Sequence, residues 1–141
     1  MYRIGELARL ADVTPDTIRY YEKQQMMDHE VRTEGGFRLY SEDDLRRLKF
    51  IRHGRQLGFT LEAIRELLSI RIEPERHTCQ ESKSIVQARL AEVEARIEEL
   101  QSMRQSLQRL NDACCGTAHS SVYCSILEAL EQGTDDGVSA C

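Results

Sequence analysis

No stretch of the 141-residue sequence approaches the length of a membrane span, and the N-terminal "MYRIGELARL" has no apolar signal-peptide core. The expected compartment is therefore the cytoplasm, where thiols stay reduced and clustered cysteines favour metal or redox chemistry over disulfides. Cys-x-x-Cys is missing, and no pattern of a concave substrate domain accompanies the five cysteines, which argues against a thiol enzyme. Zinc-ribbon spacing is missing too, so a pre-formed structural zinc site is not expected. Neither Pro nor Gly occurs from residue 79 to residue 113, which permits one long helix.

What is present suits one compact domain, or a small domain with an extended element: 40% of residues are hydrophobic and 30% charged. The net charge of −5 is unevenly spread. Residues 1–57 carry 11 Lys+Arg against 10 Asp+Glu, whereas residues 58–141 carry 8 against 14. A polyanion is better met by the first half than by the second.

"YRIGELARLADVTPDTIRYYEKQQ" holds two short helical patterns. Ile4, Leu7, Ala8 and Ala11 recur at helical spacing, and "DVT" breaks the run. Thr14 is placed as an N-cap, followed by Pro15 and by Asp16 in the first turn. The pair reads as helix-turn-helix or as a plain αα-hairpin. The outward donors of the second helix, Thr17, Arg19, Tyr20 and Lys23, favour the former, since phosphates and base edges need such groups. Val13 and Ile18 are expected inward. In "EVRTEGGFRLY", Val31, Phe37 and Leu39 around Gly35-Gly36 predict a hairpin. Arg32, Arg38 and Tyr40 are then candidates for a wing gripping the DNA backbone. Ser41 with Asp44, and Thr60, cap two further helices separated at Gly58. The basic cluster Arg46, Arg47, Lys49, Arg52 and Arg55 is expected beside the DNA surface, and His29 and His53 are expected to be surface or structural residues.

Thr78 and Glu81 form a further capping-box pattern, with Cys79 at the first helical position. Val86, Leu90, Val93, Ile97, Leu100 and Leu107 then recur at alternating spacings of four and three. A lone helix would leave this seam wet, so homodimerisation is the expected solution. Beyond it, "ACCGTAHSSVYCS" gathers Cys114, Cys115, His119 and Cys124, a donor set suited to zinc and its heavier relatives. Adjacent cysteines point apart, so the expected pairs are Cys114 with Cys124 and Cys115 with His119, around two neighbouring ions, each short of ligands. Cys79 is the obvious donor, yet an unbroken helix at about 1.5 Å per residue holds it roughly 50 Å from Cys114 of its own chain. An antiparallel partner removes the difficulty, because its helix start lies beside this chain's helix end. One Cys79 thiolate from that partner would bridge both ions, leaving a fourth position to water or an anion. His77 is expected at most in an outer shell, and Cys141 is expected to be a free thiol.

"YRIGELA", "TPDTIRYYE", "GFRLYSEDDLRRLKFI" and "LGFTLEAIRELL" resemble the DNA-binding half of MerR-family transcription regulators, over residues 2–70. The remainder, with Cys79 and "CCGTAHSSVYC", resembles zinc-responsive members of that family. The resemblance implies a mostly α protein: a winged helix-turn-helix domain with linking helices (1–70), a hinge and antiparallel coiled-coil dimerisation helix (71–112), a metal-binding loop with a short helix (113–133), and a flexible tail (134–141). It implies no enzymatic activity. It implies a homodimer on double-stranded promoter DNA, between polymerase-recognition elements set too far apart, with RNA polymerase at the same promoter. Metal binding would twist the DNA and turn a bound repressor into an activator, of a zinc-efflux gene. The ligands it implies are Cys114, Cys115, His119, Cys124 and the partner's Cys79, for two Zn²⁺ per site. Arg19, Tyr20, Arg38 and Tyr40 match positions typical of family DNA contacts. Two thiolates suffice for near-linear copper(I), which leaves Cys115 and His119 idle, and mercury needs three sulfurs; the full set favours Zn²⁺, with Cd²⁺ and Pb²⁺ as mimics by softness. A [2Fe–2S] sensor wants four thiolates where this loop offers three.

Overall fold

The computed structural model describes residues 1–28, 31–114, 116–118, 120 and 124–133, with the backbone alone for Val31 and Arg32. They form two compact units divided between Arg89 and Leu90.

In the first unit, α1 (Ile4–Ala11) ends where Asp12 takes a left-handed conformation at φ 56°. The Val13 N–H closes the turn on the Ala8 carbonyl at 3.0 Å. The chain restarts at once as α2 (Pro15–Lys23), because Thr14 accepts the Thr17 N–H at 3.1 Å and Pro15 needs no partner in the first turn. Leu7 and Ile18, both without accessible surface, bring the two helices together. Full burial of such side chains contributes about 1.5–3 kcal/mol each.

The expected hairpin is present but short. Strand β1 (Val31–Arg32) pairs antiparallel with β2 (Arg38–Leu39), in the register Val31 to Leu39 and Arg32 to Arg38. Its turn is closed by bonds of 2.8 Å (Thr33 N–H to Phe37 carbonyl) and 2.9 Å (Gly36 N–H to Thr33 carbonyl), with Gly36 at φ 81°. Phe37 therefore lies in the turn and is exposed, with the Arg3 guanidinium 5.1 Å above its ring. Tyr2 extends the ribbon by a reciprocal bridge to Tyr40, at 2.7 and 2.8 Å.

Ser41 and Asp44 make a complete capping box for α3 (Glu42–Gln56). The helix stops at Leu57, and Gly58 turns the chain at φ 80°. Thr60 caps α4 (Leu61–Ile72) by accepting the Ala63 N–H at 3.1 Å. Leu45, Leu48 and Ile51 of α3 and Ile64 and Leu68 of α4 complete a core that also buries Met26, Met27 and Phe59. A short 3₁₀ turn (Pro74–Arg76) leads to α5 (Cys79–Ala113), 35 residues without a break. The first unit reaches further than residue 70 because the start of α5 packs on it. Ile85 lies against the core, and the Arg89 Nε donates to the Leu57 carbonyl at 3.0 Å.

The second unit pairs the rest of α5 with α6 (Ser125–Gln132). Leu110 and Ala129 are buried between them, and Ser125 Oγ donates to the Ala113 carbonyl at 3.0 Å, satisfying an acceptor at the helix end. Along α5, Val86, Leu90, Ile97, Leu100 and Leu107 are exposed and Val93 is half-buried. No helix is long and apolar enough to cross a membrane among the described residues.

Candidate nucleic-acid interface and metal centre

Helical periodicity divides α2 cleanly. Ile18, Tyr21 and Glu22 turn inward, while Arg19, Tyr20 and Lys23 are exposed and Thr17 is half-buried. The outward groups are held by short local bonds. Arg19 reaches Asp16 at 2.8 Å, Thr17 Oγ1 lies 2.8 Å from Thr14 Oγ1, and Tyr20 packs on Tyr21 with ring centres 5.6 Å apart. Exposed ion pairs of this kind are weak, so Arg19 is free to exchange Asp16 for another anion.

Arg38 and Tyr40 bring β2 to the same helix. Arg38 Nη1 donates to Glu22 Oε2 at 3.0 Å, and the Tyr40 hydroxyl donates to Glu22 Oε1 at 2.8 Å. Arg38 remains one-third exposed, whereas Tyr40 has no accessible surface. In this structure the Tyr40 side chain stands behind the surface, because its ring packs into the hydrophobic core. Burial first, and then the hydrogen bond to Glu22, push the Tyr40 hydroxyl up to about 12. Sequence reasoning missed Glu22; its signal was spacing, four residues after the inward Ile18 on an amphipathic helix.

In the basic cluster of α3, Arg46, Lys49 and Arg55 are exposed and Arg47 and Arg52 half-buried, and several of these side chains also bond within the fold. Arg47 Nε donates to the Met26 carbonyl at 2.6 Å and Arg55 Nη1 to the Phe59 carbonyl at 2.8 Å. Arg52 pairs with Asp12 at 2.9 Å and Arg46 with Asp43 at 3.7 Å, while Lys49 is exposed. His53 is exposed in the last turn of α3, and His29 lies outside the described residues.

In the second unit, Cys114 follows the last residue of α5 and Cys124 is the N-cap residue of α6, and the Ser125 bond to the Ala113 carbonyl joins the residues next to them. The backbone N–H groups of Leu127 and Ile126, at the start of α6, and the Cys114 thiol lower the Cys124 pKa. A sulfur held toward its thiolate form beside a second sulfur fits a soft divalent ion. Cys115, His119, the tail and Cys141 lie outside the described residues. Among the described residues, no three Cys, His, Asp or Glu side chains converge on one point. Cys79 is exposed in the first unit as the first residue of α5. Next to it, Glu81 accepts the Thr78 N–H at 2.7 Å and lies 3.0 Å from His77 Nδ1, which draws that imidazole into the helix cap.

A helix-turn-helix with exposed donors, a two-stranded wing and a long helix with a cysteine-bearing end defines a DNA-binding transcription regulator. Two family descriptions match the chain: "MerR HTH family regulatory protein" over residues 2–70 and "MerR, DNA binding" over residues 45–110. The chain is 83% identical over 141 residues, all of both proteins, to the HTH-type transcriptional regulator ZntR of Escherichia coli K12. It is 40% identical over 127 residues (90% of this chain, 97% of the other) to a probable heavy metal-dependent transcriptional regulator of Haemophilus influenzae. The crystal structure of the regulator PbrR691 of Ralstonia metallidurans CH34, in complex with lead(II), superimposes with a TM-score of 0.80 at 41% identity. That match covers 92% of this chain and 99% of PbrR691. The chain belongs to the MerR family of helix-turn-helix transcription regulators, and it is not an enzyme.

Proposed function

We propose that this regulator senses zinc: a homodimer on promoter DNA in the cytoplasm, it activates transcription, of a zinc-efflux gene, when zinc links its subunits. The observation that carries the reading is the Ser125 bond to the Ala113 carbonyl at 3.0 Å, which brings the start of α6 back to the end of α5 and so draws the free Cys114 and Cys124 to one place in a chain otherwise built to bind DNA. The 83% identity to ZntR supports it along the full length.

Thr17, Arg19, Tyr20 and Lys23 meet the duplex from α2 and Arg38 from the wing. Tyr40 acts through Glu22, which it holds in place. Val86, Leu90, Val93, Ile97, Leu100 and Leu107 pair with the same seam of an antiparallel partner, which explains why so much apolar surface lies open on one subunit. Cys114, Cys115, His119 and Cys124 would hold two ions, with the partner subunit's Cys79 between them. A bound ion supplies a cross-link between sulfurs of two subunits, and so favours the dimer conformation in which that link is unstrained. Each surplus base pair in a promoter spacer rotates the polymerase-recognition elements apart by about 35°, so a twist of the dimer restores their alignment for RNA polymerase without release from DNA.

Transcription from the cognate promoter, titrated with buffered Zn²⁺, Cd²⁺ and Cu⁺, tests the reading. Activation by zinc at the lowest free concentration relative to each metal's buffered availability is expected, with C79A abolishing the response while leaving dimerisation intact. Full zinc activation by C79A, or activation by Cu⁺ alone, contradicts it.

A further inference from the structure

Among the described residues, Glu22 is the buried charged residue, with its side chain 3% exposed. An apolar residue on this inward face of α2 would hold the helix to its core as Ile18 does. Burying a carboxylate near a surface that meets phosphates costs desolvation and adds repulsion. The geometry gives that charge a use. Tyr40 occupies Oε1 at 2.8 Å and Arg38 approaches Oε2 at 3.0 Å, so one carboxylate ties the wing to the recognition helix. Arg38 leaves part of its guanidinium exposed, and a charge-assisted bond from a fixed, buried acceptor settles where the remaining N–H groups point. Tyr40, fully buried and protonated through the neutral range, keeps the acceptor itself from turning.

We infer that Glu22 is a positioning residue for DNA binding: through its paired bonds to Tyr40 and Arg38 it locks wing and recognition helix into one pre-oriented contact surface. The inference rests on the reading of Arg38 as a phosphate contact. It predicts that Glu22 contributes to specific binding while opposing non-specific binding, because its own charge repels the backbone.

The test uses the full-length protein with two duplexes, one selected by the wild type from a random-sequence pool and a scrambled one of the same composition. Affinities are measured over a salt series, with the melting temperature of each variant. Arg38→Ala is expected to weaken binding to both duplexes and to lower the log K–log salt slope by about one per protomer. Glu22→Gln keeps the shape and the Arg38 charge. It is expected to lose affinity for the selected duplex on the order of tenfold, yet to bind the scrambled duplex at least as well as wild type. In the Arg38→Ala background, Glu22→Gln should cost less than about twofold in selected-duplex affinity, since the loss it causes passes through Arg38. Wild-type affinity in Glu22→Gln, or a loss that persists in the Arg38→Ala background, overturns the proposal. An unchanged salt slope in Arg38→Ala instead removes Arg38 from the DNA and overturns the reading beneath it as well. Should Glu22→Gln fail to fold, Tyr40→Phe carries the test: a smaller loss that vanishes in the Arg38→Ala background is expected, and one that persists overturns the proposal.

Discussion

Ile18 is enclosed while Arg19 and Tyr20 beside it stand in solvent, so α2 presents its donors from a narrow apolar footing. Replacing Ile18 by Ala removes side-chain contacts that no neighbour can rebuild, and a loss of about 2–5 kcal/mol is expected in urea unfolding. Tyr40 offers a different probe, through pH. Its hydroxyl titrates at about 12 in the folded chain against an ordinary value of 10.0. A raised value means that its contribution is complete below pH 10, where folded and unfolded forms are both protonated. It drains away as pH rises toward 12, where the unfolded phenol ionises first. Tyr21, raised chiefly by burial, acts in the same direction. Unfolding free energies measured from pH 9 to pH 12 should fall across that window, by about 2–3 kcal/mol for Tyr40 alone. Tyr40→Phe should flatten the decline, and an equally steep decline in that variant would contradict the assignment.

Between elements, the chain depends on caps and on one junction. Gly58 turns α3 into α4 at φ 80°, and a Cβ there would collide with the Arg89 guanidinium that caps Leu57. Gly58→Ala thus combines backbone strain with the loss of a contact tying α5 to the first unit. A destabilisation of about 1–3 kcal/mol is expected in thermal or chemical unfolding. Helix boundaries were legible in the sequence because caps are local: Thr14, Ser41 and Thr60 each act on a backbone group three residues away. The fate of the arginines was not legible. Arg47 satisfies a carbonyl 21 residues distant, and nothing in the local pattern separates it from exposed Lys49. The burial of Tyr40 was not legible for a related reason: alternation along β2 was readable, but the core that encloses its ring is assembled from residues far apart in sequence. The wing also has fewer paired residues than its alternating side chains suggested, because the turn from Thr33 to Phe37 uses up most of the segment.

At the scale of the molecule, the proposed dimer would cover the apolar seam of α5. Leu90 and Ile97 are 52% and 47% exposed, a state costly to maintain in water along several turns. Leu90→Asp with Ile97→Glu should shift the protein from dimer to monomer in sedimentation equilibrium, while the first unit keeps its helical circular dichroism. The cysteine spacing was informative in the sequence because α5 has no interruption to fold back on, whereas the Ser125 bond that returns the chain to the end of α5 left no local signal. The most direct measurement is metal binding by a purified mixed dimer, with C79S in one subunit and C114S/C124S in the other. Neither parent homodimer holds a complete site under any arrangement. If Cys79 serves the partner's loop, the mixed dimer regains one complete site of two and binds zinc at half the wild-type stoichiometry. A mixed dimer that binds no more zinc than its parents would contradict the account.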